Sequence, residues 1–333
     1  MSQEIVKKTE NVRSITALRI FATCLVVIGH ACAVFSDNWG GVSQIESGIL
    51  KILHDGIYFF HMPLFMSISG YCFQLHRPLV ENMKTYNGFI LKKFRRLLIP
   101  FLLIKYLYLM PIEYGLGICE FESIGFAGKV REYMTNFSAD YLWFLWVLFL
   151  IFACQGIIQK YDANDLIFTI ELVVSAVFVL LCTKWLNMPH AIRQCVIYSF
   201  WFILGRAICK HKADQNIWIA ITCSMLIAVQ MLRLKYSSLS IISDFALKIE
   251  ITLLLYVIAR LLTSNKMLNA GRNPDYTMGV YLFHVPLQYV VLNILTTTTP
   301  CVLFAVLLII GGAIPIAITK LLRKYSLAFI VGE

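Results

Sequence analysis

Charge is scarce in this chain: Asp, Glu, Lys and Arg make up only 14% of its 333 residues, where soluble domains carry roughly a quarter. Polar intervals are scarce too, the longest between apolar runs being residues 116–140. Both deficits exclude a globular protein in water, because a chain that is 59% hydrophobic has too few polar groups to cover its surface. The ten cysteines contain no Cys-x-x-Cys pair, and Cys24, Cys72, Cys154, Cys195, Cys223 and Cys301 lie inside apolar stretches. They read as small hydrophobes in the thiol form, not as a disulfide frame or a zinc site. A Walker loop, a dinucleotide fingerprint, His-Glu-x-x-His and Gly-x-Ser-x-Gly are all missing, and with them the chemistries those motifs carry. Nor is there an internal repeat, which counts against a duplicated transporter fold.

What the chain has instead is ten apolar stretches, approximately 15–35, 56–75, 97–115, 141–159, 166–183, 191–209, 216–232, 244–263, 278–297 and 300–322. Each is near the length of about 20 residues that crosses a bilayer of roughly 30 Å as a helix. The expected architecture is an all-α, polytopic integral membrane protein with about ten transmembrane helices. It is expected to form a single domain over residues 1–333 with no appended soluble domain. The net charge of +10 sits beside apolar segments rather than paving one surface, so it speaks of topology and not of nucleic acid. With the N-terminus inside, the cytoplasmic segments take Lys7, Lys8, Arg13, Arg77, Lys84, Lys92, Lys93, Arg95, Arg96, Lys160, Lys210, Lys212, Lys266, Arg272, Lys320, Arg323 and Lys324. The opposite loops keep only Lys51, Lys129, Arg131, Lys184, Arg233 and Lys235, so both termini are expected in the cytoplasm. The first stretch, with Ala31-Cys32-Ala33 near its end, has the outline of a signal peptide. Arg19 and His30 inside its core argue against cleavage.

Those two residues are also the first candidates for chemistry. Eleven residues make about three helical turns, so Arg19 and His30 project from nearly the same face, about 16 Å apart along the axis. A guanidinium facing lipid costs at least 2–3 kcal/mol, so such a residue normally faces a polar cavity. The bland alternative is a snorkelling arginine and a histidine bonded between helices. The second stretch, Phe59-Phe60-His61-Met62-Pro63-Leu64-Phe65-Met66-Ser67-Ile68-Ser69-Gly70-Tyr71, carries a proline kink and small residues that permit close helix approach. Packing is the simpler account of Ser67 and Ser69, whereas His61 is buried at the kink. The run Lys92-Lys93-Phe94-Arg95-Arg96 before Leu97-Leu98-Ile99-Pro100 is either the anchor of the next span or a cytoplasmic anion site, where arginine grips phosphate with two bonds. Thr277-Met278-Gly279-Val280-Tyr281-Leu282-Phe283-His284-Val285-Pro286 puts Tyr281 and His284 on one face. Scattered histidines of this kind do not make a metal set, and none is expected.

Taken in order, these features resemble the acyltransferase 3 family over nearly the whole chain: Arg19 with His30, FFHMPLFMSISGY, the basic run ending RRLLIP, Tyr141-Leu142-Trp143-Phe144-Leu145, and TMGVYLFHVP. Lys93 stands where the family commonly has arginine, which keeps the charge and loses the bidentate fork. Thr277 and Met278 stand where serine and an aromatic residue are frequent. The resemblance implies acyl transfer, most often of acetyl, from cytoplasmic acyl-CoA as co-substrate to a hydroxyl of a cell-envelope glycan, with no bound cofactor. It also implies a bacterial inner membrane. His30 and Arg19 then serve catalysis, Lys93, Arg95 and Arg96 bind the donor, and His61, Ser69, Tyr281 and His284 line the site. The rival from another class is a transporter driven through intramembrane charges, for which Glu171, Lys248 and Glu250 would matter more.

Overall fold

The apolar stretches fold as helices whose ends are set by local chemistry, and they are seen in a computed structural model. It describes residues 2–36, 47–78, 80–117, 141–161, 164–184, 190–234, 240–264, 275–295 and 299–333, with 125, 127, 128 and 131. The described helices are α1 (Ser2–Ala33), α2 (Gly48–Leu75), α3 (Met83–Gly115), α4 (Trp143–Ile158), α5 (Asp165–Lys184), α6 (His190–His211), α7 (Ile217–Leu234), α8 (Ile241–Ser264), α9 (Thr277–Ile294) and α10 (Pro300–Lys324). No strand occurs among the described residues. Each expected apolar stretch overlaps one of these helices. Five are long and apolar enough to cross a membrane: Glu10–Ala33, Met83–Gly115, Ile192–His211, Thr277–Ile294 and Pro300–Lys324. Apolar side chains left exposed along α5 and α7, among them Val173, Val177, Met225 and Leu232, suit a lipid solvent. The interval 116–140 and the loop cations Lys129, Lys235, Lys266 and Arg272 fall largely or wholly outside the described residues.

The third helix differs from expectation at its start. The sequence reading opened it at residue 97, after the basic run. In the structure Asn82 caps it fourteen residues earlier than Arg96, accepting from the Thr85 N–H at 3.0 Å while Thr85 Oγ1 accepts from the Asn82 N–H at 3.1 Å. This reciprocal cap satisfies two otherwise orphaned donors, so Lys92, Lys93, Arg95 and Arg96 belong to the helix and not to a loop before it. Two wide π-turns, Phe94–Leu98 and Lys105–Leu109, interrupt it. Each stands just before a proline, Pro100 or Pro111, which has no N–H to return to the carbonyl four residues back.

The chain divides into two compact units. The first comprises residues 1–22, 59–81 and 155–275; within it α5 pairs with α6 and α7 with α8. Here α2 crosses α6 backbone to backbone. A Cβ on Gly70 would collide with the Phe202 carbonyl, and one on Gly205 with the Ser67 carbonyl. Arg206, only 1% exposed, is held beside this crossing by Gln155 and Glu171 and lies 5.4 Å and 5.1 Å from the Phe73 and Phe168 ring centres. The second unit comprises residues 23–58, 82–154 and 276–333. Its core joins Ala31, Val34 and Phe35 of the α1 end to Val291 and Leu292 of α9 and Leu303 and Leu307 of α10.

Candidate active site

Within the second unit, the last turn of α1 and the middle of α9 bring two histidines together. His284 Nε2 lies 3.3 Å from His30 Nδ1, the ring centres 4.9 Å apart. His284 Nδ1 sits 2.9 Å from the Val280 carbonyl and 2.8 Å from that of Tyr281. Carbonyls only accept, so this nitrogen carries the proton and Nε2 is left bare as an acceptor. The same logic applies to His30, whose Nδ1 is 2.9 Å from the Val26 carbonyl. Its N–H is shared between Val26 and His284 Nε2, which leaves His30 Nε2 as the basic nitrogen. His284 is fully buried and His30 half-buried. The arrangement is therefore a base with one nitrogen anchored by its helix and a second histidine, and the other turned to what it meets.

Aromatic rings wall the pair. Tyr58 lies 5.9 Å from His30, and Tyr141 lies 6.3 Å from His30 and 5.5 Å from His284. Tyr141 and Tyr281 lock each other. The Tyr281 hydroxyl donates to the Tyr141 carbonyl at 2.7 Å, and the Tyr141 hydroxyl donates to the Leu282 carbonyl. That exchange fixes the segment of α9 whose carbonyls orient His284. His54, 2% exposed, packs on Tyr58 with ring centres 4.0 Å apart and lies 2.9 Å from Asp55. Among the described residues no three His, Cys, Asp or Glu converge as a metal set.

Also in the second unit are the three donor-binding candidates. Lys93 is half-buried with its ammonium 3.7 Å from the Phe152 ring centre, a cation–π seat that turns it away from a purely solvated role. Arg95 and Arg96 are exposed on the first π-turn. The remaining candidates belong to the first unit. Arg19 is ion-paired with Asp275 at 2.6 Å, both about a third exposed. His61 is 3% exposed. Ser69 returns its hydroxyl to the Phe65 carbonyl at 3.0 Å, which fits packing. The intramembrane charges of the transporter reading have local partners: Glu171 with Gln155 and Arg206, Glu250 with Gln230 at 3.0 Å, and Lys248 over the Phe59 ring at 4.5 Å.

Sequence reasoning joined Tyr281 to His284 on one helix face but joined His30 to Arg19 and not to His284. The pairing spans 254 residues and no spacing rule reaches that far. Asp275, Tyr58, His54 and the role of Tyr141 were missed; of these only Tyr141 stood in a motif already singled out. A family model described as an acyltransferase domain matches residues 12–320. No curated protein and no solved structure matches the chain.

Proposed function

We propose, since the chain belongs to the acyltransferase 3 family, that it moves an acyl group, most often acetyl, from acyl-CoA to a hydroxyl of a cell-surface glycan. Membership and the apolar helices make it a membrane acyltransferase; donor, acceptor and acyl group are our reading. We further take the chain as one catalytic unit of ten crossings in a bacterial inner membrane, both termini cytoplasmic. The observation that carries the mechanism is the pair of contacts at His30 Nδ1, to the Val26 carbonyl and to His284 Nε2, from which the tautomer is assigned. His30 Nε2 is free of the proton that Nδ1 shares with Val26 and His284.

In the direct form of the reaction, His30 Nε2 takes the acceptor hydroxyl proton as the oxygen bonds to the thioester carbon. The tetrahedral intermediate then expels CoA thiolate, and the imidazolium returns the proton to that sulfur. The products are the glycan ester and CoA. His284 Nε2 accepts the Nδ1–H of the imidazolium while it exists, the part an orienting partner plays beside a histidine base. Lys93, Arg95 and Arg96 bind the anionic donor, and Arg19 orients it or stabilises the developing oxyanion.

Asp275 fixes the Arg19 fork. With both groups a third exposed, the pair contributes under about 1 kcal/mol to stability, so its loss should show in activity and not in folding. Asp275→Ala is expected to lower label transfer about tenfold, and Arg19→Ala at least as much. The double variant should be no worse than Arg19→Ala alone; independent losses would show that Asp275 does not act through Arg19.

The test of the function is transfer itself. Purified protein in detergent, given radiolabelled acetyl-CoA or succinyl-CoA and membrane glycan extract, should release CoA and label the glycan. Absence of turnover with both donors, together with donor-independent movement of substrate in sealed vesicles, would replace the enzyme by a transporter.

A further inference from the structure

The 3₁₀ turn Ala328–Val331 and the two residues after it pack against the Phe94–Leu98 π-turn and the following helical turn, all within the second unit. Val331 is 1% exposed. Gly332 has φ +77°, the left-handed region, and a Cβ there would run into the Arg96 carbonyl and lie 3.4 Å from Arg96 Cγ. The contact falls on the first π-turn, one helical turn before Pro100. Pro100 has no N–H for the carbonyl four residues back, which is that of Arg96. Gly332 therefore lies against the Arg96 carbonyl, which Pro100 cannot serve, and the stem of the Arg96 side chain passes close to the same spot.

The other side of the turn is fastened to α10 and the start of α9. Arg323 Nε donates to the Glu333 carboxylate at 2.8 Å, and a second guanidinium nitrogen donates to its other oxygen. The same guanidinium lies 4.6 Å from the ring centre of Tyr276, the residue that opens α9, two turns before His284. One short segment thus bridges the exposed arginines of α3 and the helix that carries half of the histidine pair.

We infer that residues 328–333 are a positioning bracket that sets the stem of Arg96 and the π-turn beneath it, so that the arginine meets the phosphates of the acyl donor in one orientation. Arg96 is the group that touches the donor; Gly332, Val331 and the Arg323–Glu333 pair act through it. The inference rests on the donor-binding reading of the basic run.

The experiment is steady-state kinetics on the full chain with acetyl-CoA as the varied substrate. Gly332→Val adds a branched side chain at a left-handed position against a carbonyl, so the turn must leave Arg96. The KM for acetyl-CoA should rise roughly tenfold with kcat changed less than about twofold, the signature of lost uniform binding. Arg323→Gln, which opens the far side without touching α3, should raise KM in the same direction by about threefold, and it covers the case in which Gly332→Val does not fold. Arg96→Ala should raise KM at least as far as Gly332→Val, and the Arg96→Ala/Gly332→Val double variant should equal Arg96→Ala alone. If Arg96→Ala leaves KM unchanged, the donor reading itself fails. If Arg96→Ala raises KM while folded Gly332→Val and Arg323→Gln do not, or if either lowers kcat alone, the bracket is overturned and the donor site stands.

Discussion

His30→Ala is expected to lower acyl transfer by roughly 10²–10⁴-fold, the range that a positioned general base supplies, while the protein stays monodisperse in detergent. The two halves of that expectation have separate causes. Folding should survive because His30 is only half-buried and its one backbone bond is to Val26 of its own helix; losing it costs about 1 kcal/mol. Activity should fall because His284, the histidine in contact with His30, is not placed to take over. His284 is fully buried with Nδ1 committed to two carbonyls. Its Nε2 faces His30 Nδ1 at 3.3 Å. His284→Gln, which retains an acceptor in a buried place, should lower kcat by about ten- to a hundredfold with little change in donor KM. The decisive comparison is the double variant. If His284 works only by orienting His30 and accepting from its imidazolium, adding His284→Gln to His30→Ala should cost nothing further. Additive losses would mean that His284 meets substrate itself, and a fully active His30→Ala would remove the base from the mechanism altogether. An acyl-histidine route separates from direct transfer in the same assay: label trapped on wild type without acceptor, and absent from His30→Ala, marks the covalent path.

Which parts of this were legible beforehand follows from the range of the forces involved. Helix placement rests on local hydropathy, so each apolar stretch overlaps a described helix even where a charge such as Glu171 or Glu250 interrupts it. Five of them meet the length and hydropathy of a membrane span. The start of α3 was misplaced because a cap depends on two side chains, Asn82 and Thr85, that lie well outside the apolar run. The π-turns were not foreseen either: Pro100 and Pro111 announce a break, but how the helix absorbs it is settled by packing. For the site, one-face arguments worked inside a helix, as for Tyr281 and His284. Pairing between helices did not follow from periodicity, which is why His284 was read as lining the site and not as the partner of His30, and Asp275 was not named. Ser67 and Gly70 were read as small residues for close approach, and the structure supplies the partner, Gly205, whose neighbour Arg206 gave no sign in sequence of being buried.

That crossing yields the largest expected effect on stability. Gly205→Ala and Gly70→Ala should each lower the detergent melting temperature by about 6–12 °C, taking about 3 kcal/mol at 2–4 °C per kcal/mol. Overpacking usually costs 1–3 kcal/mol, and two features put these sites at the upper end. The obstructing atom is a backbone carbonyl in each case, Phe202 for Gly70 and Ser67 for Gly205, and a helix backbone cannot turn aside as a side chain does. Separating α2 from α6 would also draw Phe73 away from the guanidinium of Arg206, whose other neighbours include Gln155, Glu171 and Phe168. Loosening a buried cation from its surroundings adds to the cost. The same separation would strain the Tyr256 hydroxyl, which donates to Ser67 Oγ at 3.3 Å. Because one displacement relieves both collisions, the double variant should lose less than the sum of the singles. Gly312→Ala on α10 is the control, since nothing lies within 4 Å of its added carbon. There the gain in helix propensity, roughly 0.5–1 kcal/mol, should hold or raise the melting temperature. If Gly205→Ala melted with Gly312→Ala, the two backbones would have to be further apart than they stand here, and Arg206 would owe its burial to something other than the closeness of α2.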